Sequence, residues 1–286
     1  MPARYLPPLL LLLAALGWSL GGVLIKSIDW PPIAIAGGRS VIAIPVMLLC
    51  IGRPKLTFST AQIGGAIGYA LTVMLFVFAT RMTTAANAIF LQYTAPIYVA
   101  LIGRWYLGER AHALDWAVIA IAILGIALFF LDRLTLAGWW GNIVALGSGV
   151  TFASVALFLR KEKAGSPVAS IILGNALVVL VAIPFMLRPG VLSNLDAGSA
   201  WRLLLLGVVQ LALPYVFYGT AIKSVTALEA TLIPLIEPIL NPLWVMLALD
   251  EHPGPWATAG AALVLGAVLT RGALMVRARR ERVTTG

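Results

Sequence analysis

The sequence predicts an all-α integral membrane protein with ten transmembrane helices, built as two inverted five-helix repeats with both termini in the cytoplasm. Hydrophobic residues make up 61% of the 286 residues and charged residues only 11%, about half the charged share of a soluble domain. The mean hydropathy of +0.98 indicates that apolar side chains form the outer surface, with lipid as their solvent. Apolar stretches recur along the chain, and the second half of the sequence repeats the first.

Each apolar stretch has close to the roughly 20 residues that an α-helix needs to cross the hydrocarbon core. Ten crossings use about 200 residues, so the loops are short and no extramembrane domain fits. The first stretch follows Arg4 as in a secretory signal peptide, but it continues to Ile25. We therefore predict an uncleaved first helix, with a cleaved signal peptide as the alternative. Spans one to ten cover residues 6–25, 33–51, 62–80, 84–103, 114–131, 139–159, 168–187, 201–222, 228–249 and 256–276.

The net charge of +9 is compatible with a nucleic-acid partner or with an orientation signal in a membrane. With the amino terminus inside, 14 of the 20 basic residues fall at or near the cytoplasmic side and the other 6 near the outer side. This asymmetry favours both termini in the cytoplasm. The basic tail over 277–286 is interpreted as a contact with anionic lipid, and no nucleic-acid partner is expected.

An internal repeat appears when the chain is shifted by 142 residues against itself. Nine of 31 aligned positions are then identical, including Thr84 with Thr226 and Pro96 with Pro238, where roughly three identities are expected by chance. The repeats are assigned to residues 1–133 and 134–286. Since each holds five spans, an odd number, the second copy is inverted in the membrane. Inverted repeats are typical of carriers that bind substrate near the bilayer midplane.

Span nine concentrates polar and helix-breaking residues on one predicted α-helical stripe: Pro234, Glu237, Pro238, Asn241 and Pro242. Each proline removes an N–H, so the carbonyl four residues earlier loses its helical partner. Such a stripe fits a wet cavity or a neighbouring helix better than lipid. A carboxylate at this depth is either a ligand-binding or proton-titrating group or a buried structural carboxyl, and the amide is either a substrate contact or a link between helices.

Other spans carry weaker candidates at helical spacing. Polar and aromatic residues on spans three, four and eight fit either packing or a pocket, and Arg39 in span two fits pairing with a substrate carboxylate or a protein carboxylate. The candidate substrate contacts are Glu237, Asn241, Gln92, Tyr69, Phe76, Gln210, Phe217, Tyr218, Arg39 and Trp18. The predicted helix kinks are Pro96, Pro214, Pro234, Pro238 and Pro242.

Motifs for catalysis and for cofactors are missing from the sequence. The single Cys50 excludes an internal disulfide, and His112 and His252 do not form a paired metal site on a helix. No GxxxxGK phosphate loop or nucleophile elbow occurs. We therefore expect no enzyme activity, no metal and no cofactor.

The whole chain resembles the drug/metabolite transporter superfamily, specifically the bacterial EamA-type exporters. The resemblance is carried by Gly17-Trp18-Ser19 with Lys26, by 39–43, by 85–96 leading into Leu107-Gly108-Glu109, and by 236–238 with 249–251. Residues 236–242 look most like the branch with aromatic amino-acid exporters.

The resemblance implies a multi-pass protein of the bacterial inner membrane that exports small metabolites, foremost amino acids with broad specificity. It also implies a central cavity lined chiefly by spans three, four, eight and nine, with help from one and six. The expected partners are the small-molecule substrate and the lipid bilayer, and a monomer is plausible. A carrier of cationic or aromatic drugs, a passive facilitator and a structural membrane protein remain as alternatives.

Overall fold

The computed structural model describes residues 5–129, 131, 138–191, 196–240 and 255–284, and the regular elements in these ranges are all helical. The all-α prediction is thus confirmed for the described residues. The helices are α1 Leu6–Trp18, α2 Gly21–Lys26, α3 Pro32–Ile51, α4 Thr60–Met82, α5 Ala85–Gln92, α6 Ala95–Tyr106, α7 Ala113–Phe129, α8 Trp139–Lys161, α9 Pro167–Met186, α10 Ala197–Leu205, α11 Leu213–Ala221, α12 Ala227–Leu232 and α13 Pro255–Thr284, with a π-helical segment at Leu206–Ala212 and a 3₁₀ segment at Ile233–Ile236.

Six helical segments in the described part of the chain are long and apolar enough to cross a membrane. Shorter apolar helices cover Ala113–Leu128 and Thr258–Arg271. Large apolar side chains such as Leu49, Leu180 and Trp105 remain well exposed, as expected of surfaces that face lipid. The six spanning segments are Leu6–Lys26, Pro32–Ile51, Thr60–Met82, Trp139–Lys161, Pro167–Met186 and Ala197–Ala221.

Two predicted spans of the first half are broken in the middle. Span one separates into α1 and α2 at residues 19–20, and span four separates into α5 and α6 at residues 93–94. The second break has a clear cause, because Pro96 lacks an N–H and its ring excludes the helical position of the Gln92 carbonyl. The sequence holds no comparable proline at the first break, which was not predicted.

The second half contains two interruptions, one before Pro214 and one before Pro238, and Pro238 is the residue that the 142-residue shift matches with Pro96. Before Pro214 the helix widens to π geometry, and the Leu213 N–H donates to the carbonyl of Val208, five residues back. Before Pro238 it tightens to 3₁₀ geometry, and the Glu237 N–H donates to the Pro234 carbonyl, three residues back. The described part of span nine is therefore not α-helical throughout, because Pro238 cannot donate to the Pro234 carbonyl and the Glu237 N–H bonds it instead.

The fourth span of each half begins with the same cap. The Thr84 hydroxyl accepts from the Asn87 N–H at 3.0 Å, and the Thr226 hydroxyl accepts from the Glu229 N–H at 3.1 Å. Threonine is a favoured N-cap because its oxygen satisfies a backbone donor that the first turn leaves unpaired. These two threonines are matched by the 142-residue shift, so the repeat in sequence corresponds to a repeat in local structure.

Helix packing pairs spans from different halves. Helix α1 packs on α11 and α4 packs on α8, while α3 packs on α9 and α7 on α13. In span numbers these contacts are one with eight, three with six, two with seven and five with ten. Exchanging the halves turns the first pair into the second and leaves the last two pairs unchanged. The packing pattern is therefore symmetric in the two halves.

Candidate functional site

A small cavity lies where the interrupted spans meet. About 40 Å³ is open within it, and on this measure one water molecule needs about 10–15 Å³. The cavity has room for a few water molecules, so a metabolite requires its walls to move apart. Its lining comes from spans one, two, three, four, six, eight and nine: Trp18, Arg39, Thr72, Val73, Phe76, Gln92, Tyr93, Phe152, Gln210, Leu211, Tyr215 and Glu237.

Arg39 supplies the positive charge of the cavity. Its side chain is only 1% exposed. Nη1 donates to Gln210 Oε1 at 2.9 Å, and Nη2 donates to the Val73 carbonyl at 3.3 Å. Nε is buried and has no hydrogen-bond partner among the described residues. Two neutral acceptors thus fix the guanidinium while one of its donors stays available.

Trp18, the last residue of α1, lines the same cavity. Its ring is packed among Tyr215, Tyr218 and Phe152, with centroid distances of 4.9, 5.5 and 5.9 Å. The indole N–H is buried and, within the described part of the chain, has no acceptor. Buried indole N–H groups usually find a partner. The aromatic packing therefore fixes a second free donor in a residue that lines the cavity.

Glu237 supplies a carboxyl group to the same cavity. It is 7% exposed and takes part in no ion pair between described residues. The Tyr93 hydroxyl lies within hydrogen-bonding distance of the Glu237 carboxyl and, at 3.0 Å, of the Pro234 carbonyl. That carbonyl, expected from the sequence to be unpaired, is thus bonded by the Glu237 N–H and approached by a hydroxyl.

Gln210 connects the arginine to the π-helical segment. Pro214 cannot donate to the Gln210 carbonyl as an α-helix would require, and the segment adopts wider turns before it. Helix α1 approaches this segment so closely that a Cβ on Gly17 would lie 2.7 Å from the Val209 carbonyl oxygen. π-Helical turns are frequent at functional sites. Here the widened turn carries the amide that holds Arg39.

The cavity brings together six of the ten predicted contacts. Three others are buried or half-buried away from it: the Tyr69 hydroxyl bonds the Asn175 side chain at 2.9 Å, Tyr218 packs on Trp18, and Phe217 is half-buried outside the lining. Asn241, with the predicted kink at Pro242, lies outside the described residues. The six in the lining are Trp18, Arg39, Phe76, Gln92, Gln210 and Glu237.

Sequence reasoning missed two residues that shape the site. Tyr93 bonds the Glu237 carboxyl, and Tyr215 packs against Trp18. The position of Tyr93 three residues before Pro96, in the break between α5 and α6, was a usable signal, since a helix end near a proline frees side chains to face a neighbour. Tyr215 directly follows Pro214 and offered the same signal.

A second, larger cavity of about 360 Å³ lies between α6, α8, α12 and α13. Five charged residues bond across it: Glu109, Asp115, Arg160, Glu229 and Arg271, here called the ion-pair cluster. Arg160 Nε lies 2.7 Å from Glu109 Oε1, and the other carboxylate oxygen of Glu109 accepts from the Ala227 N–H at 2.8 Å. Arg271 joins Asp115 at 3.0 Å and Glu229 at 3.4 Å. The cluster ties the first half of the chain to the second.

The turn that carries Glu109 explains the Leu-Gly-Glu motif. The Leu107 and Glu109 N–H groups both donate to the Gly103 carbonyl at the end of α6, at 2.9 and 3.2 Å. Gly108 has a φ of +73°, a left-handed conformation that glycine adopts without the steric cost of a side chain. The turn therefore ends the helix and directs Glu109 toward Arg160.

Comparison with known proteins matches a family model to both halves of the chain. The model describes the EamA-like transporter family and matches residues 6–131 and again 139–270. The chain belongs to the EamA-like transporter family. It is therefore a multi-pass membrane transporter, and the resemblance inferred from its motifs is confirmed.

Relatives of this EamA-like protein include named exporters. It is 25% identical over 280 residues to a probable amino-acid metabolite efflux pump of Escherichia coli, covering 90% of this chain and 91% of that one. It is 27% identical over 271 residues to the pseudopaline exporter CntI of Pseudomonas aeruginosa, covering 91% and 94%. A solved structure superposes with a TM-score of 0.76 at 19% identity, covering 93% of this chain and 96% of that chain, so the two share a fold.

Proposed function

We propose that this EamA-like transporter exports amino acids and similar small metabolites across the inner membrane of a bacterial cell, using the cavity between Arg39 and Glu237 as its binding site. The observation that carries the proposal is that a buried guanidinium and a buried carboxyl line the same cavity without forming an ion pair with each other. A zwitterion offers each charge its complement. The names of the two relatives, both exporters, agree with this direction and substrate class.

Aromatic side chains extend the site to apolar substituents. Phe76, Phe152 and Tyr215 line the cavity beside its polar groups. One or two methylenes in such a pocket change binding by only about 1–3 kcal/mol. Broad specificity for neutral and aromatic amino acids follows from this weak discrimination.

Transport is proposed to proceed by alternating access of two inverted repeats, 1–133 and 134–286, in a ten-helix protein with cytoplasmic termini. Three features support this arrangement: the 142-residue repeat, the symmetric packing of helices between halves and two separate matches of the family model. The central cavity of about 40 Å³ is too small for a metabolite, so transport requires its walls to move apart. Rocking of the halves opens it to one side and then the other.

An efflux experiment tests the function. The purified full-length protein is reconstituted into liposomes loaded with a mixture of the twenty amino acids, and the external solution is sampled by mass spectrometry. We expect neutral and aromatic amino acids to leave several-fold faster than from protein-free liposomes. Matched vesicles with the Arg39→Ala, Glu237→Ala double variant control for leakage. Equal efflux of amino acids from all three preparations would contradict the proposal; if parallel vesicles loaded with a cationic dye then lost the dye, the result would favour a drug carrier.

A further inference from the structure

Two buried donors in the cavity lack acceptors. Several buried side-chain donors have no hydrogen-bond partner among the described residues, but Arg39 Nε and Trp18 Nε1 are the ones whose residues line this cavity. Leaving a buried donor unpaired costs stability, and both side chains are held in place by other contacts, Arg39 by Gln210 and Trp18 by its ring neighbours. The unused donors therefore point to a ligand that brings acceptors.

The cavity lining contains groups of opposite hydrogen-bonding character. Arg39 and Trp18 carry N–H donors and, in these groups, no acceptor. Glu237 carries carboxyl oxygens, supported by the Tyr93 hydroxyl. A carboxylate has two acceptor oxygens, which matches two donors in number, and an ammonium has donors only.

We propose that the donor pair formed by Arg39 Nε and Trp18 Nε1 is the subsite for the substrate's α-carboxylate, with the α-ammonium directed to Glu237. This inference rests on the proposed transport of amino acids and adds the orientation of the substrate to it. One carboxylate oxygen accepts from the guanidinium and the other from the indole. Gln210 is a positioning residue, because its Oε1 accepts from Nη1 and so fixes the guanidinium. The subsite requires a free carboxylate and makes amino alcohols, esters and amides poor ligands.

The test removes the indole N–H alone. Trp18→Phe keeps an aromatic ring in the cluster and deletes the donor. The matched control is Trp30→Phe, because the Trp30 N–H is also buried and without a partner among the described residues, yet Trp30 does not line the cavity. The probes are L-phenylalanine and phenylalaninol, which lacks the carboxylate; if another amino acid leaves the liposomes faster, that amino acid and its own amino alcohol replace them. Each competes for transport of the radiolabelled amino acid.

We expect Trp18→Phe to raise the half-inhibiting concentration of L-phenylalanine about tenfold, the scale of one hydrogen bond to a charged group, and that of phenylalaninol by less than about twofold. Trp30→Phe should change neither. Arg39→Lys keeps the charge and removes Nε, and it should show the same selective loss, which retains the test if Trp18→Phe fails to fold. Equal weakening of both probes, or equal effects of the two tryptophan variants, would overturn the carboxylate subsite. Absence of any amino-acid efflux from the parent protein would instead overturn the proposed function.

Discussion

At the scale of single residues, the central cavity separates its charges rather than pairing them. Arg39 is fixed by the Gln210 amide and a backbone carbonyl, and Glu237 is bonded by the Tyr93 hydroxyl. An internal ion pair would satisfy both groups and leave little for a ligand. Neutral partners fix the geometry of each charge while keeping it available. The two repeats differ at this position, since the residue that the 142-residue shift matches to Glu237 is Ala95.

Glu237→Gln tests the ammonium end at this scale. Glutamine keeps the size of the side chain and an oxygen to accept from Tyr93, but it lacks the charge that attracts an ammonium. We expect transport of L-phenylalanine to fall at least about tenfold. Competition by phenylalaninol for this transport should weaken by a similar factor, unlike in Trp18→Phe. Initial efflux rates from proteoliposomes measure both.

Glu162→Gln provides the matched control for this substitution. Glu162 is also buried, but it accepts from the Ser59 and Thr57 hydroxyls at 2.8 and 3.3 Å and lies outside both cavities. Transport by the control should stay near the parent rate. Parent-like rates in Glu237→Gln as well would remove Glu237 from the site.

At the scale of helices, the cavity forms where spans are interrupted. Trp18 ends α1, Tyr93 lies in the break between α5 and α6, Gln210 lies in the π-helical segment, and Glu237 follows the 3₁₀ segment. Irregular backbone at membrane depth is tolerated where it lines a cavity. In all four spans, a residue at or next to the interruption of the helix therefore lines the central cavity.

The sequence predicted part of this arrangement through proline. Pro96, Pro214 and Pro238 mark three of the four interruptions, because a missing N–H must break the helical pattern. The direction of each distortion was not predictable, since widening and tightening both satisfy the same lost bond. The break after Trp18 has no local signal, and the lining by Arg39 depends on how α3 packs against the π-helical segment. Contacts between distant segments, such as Tyr93 with Glu237, are settled only by packing.

The ion-pair cluster is the element-scale link between the halves, and we expect it to restrain opening of the larger cavity. Glu109→Gln removes the charge that pairs with Arg160 and weakens the acceptor of the Ala227 N–H. In a Cys50→Ser background, a cysteine at Ala100, which lines the cavity, should then react several-fold faster with a maleimide. A several-fold rise in the labelling rate corresponds to a change of about 1 kcal/mol in the free-energy difference between the closed and open conformations, in favour of the open one.

Two comparisons make this outcome specific to the cluster. Glu162→Gln removes a neighbouring buried carboxyl outside it and should leave the labelling rate of the Ala100→Cys thiol unchanged. Exchanging the charges with Glu109→Arg and Arg160→Glu should bring the rate part of the way back, because the pair is re-formed while its bonds to backbone groups are not. A rate in Glu109→Gln equal to that of the parent would show that the cluster does not restrain this cavity.

At the scale of the whole molecule, the two halves are related by an exchange that preserves their packing. Spans two and seven pack on each other, as do five and ten, while the pairs one with eight and three with six exchange places. In such a fold, every helix contact between the halves has an equivalent contact in which the two halves exchange roles. Two such halves in opposite orientation give two conformations of similar energy, open to opposite sides, which is the physical basis of alternating access. The decisive property is then the inversion itself.

Cysteine labelling of equivalent loops tests the inversion. Asp29 and Lys163 follow the first span of each half, and Arg53 and Arg188 follow the second; all four residues are exposed. In the Cys50→Ser background, single cysteines at Asp29 and Arg188 should react with an impermeant maleimide in intact cells, whereas those at Arg53 and Lys163 should react only after permeabilisation. This pattern follows because loops matched by the repeat lie on opposite sides of the membrane, with most basic residues inside. Labelling of Arg53→Cys and Arg188→Cys from the same side would exclude inverted halves, and with them the two-conformation carrier.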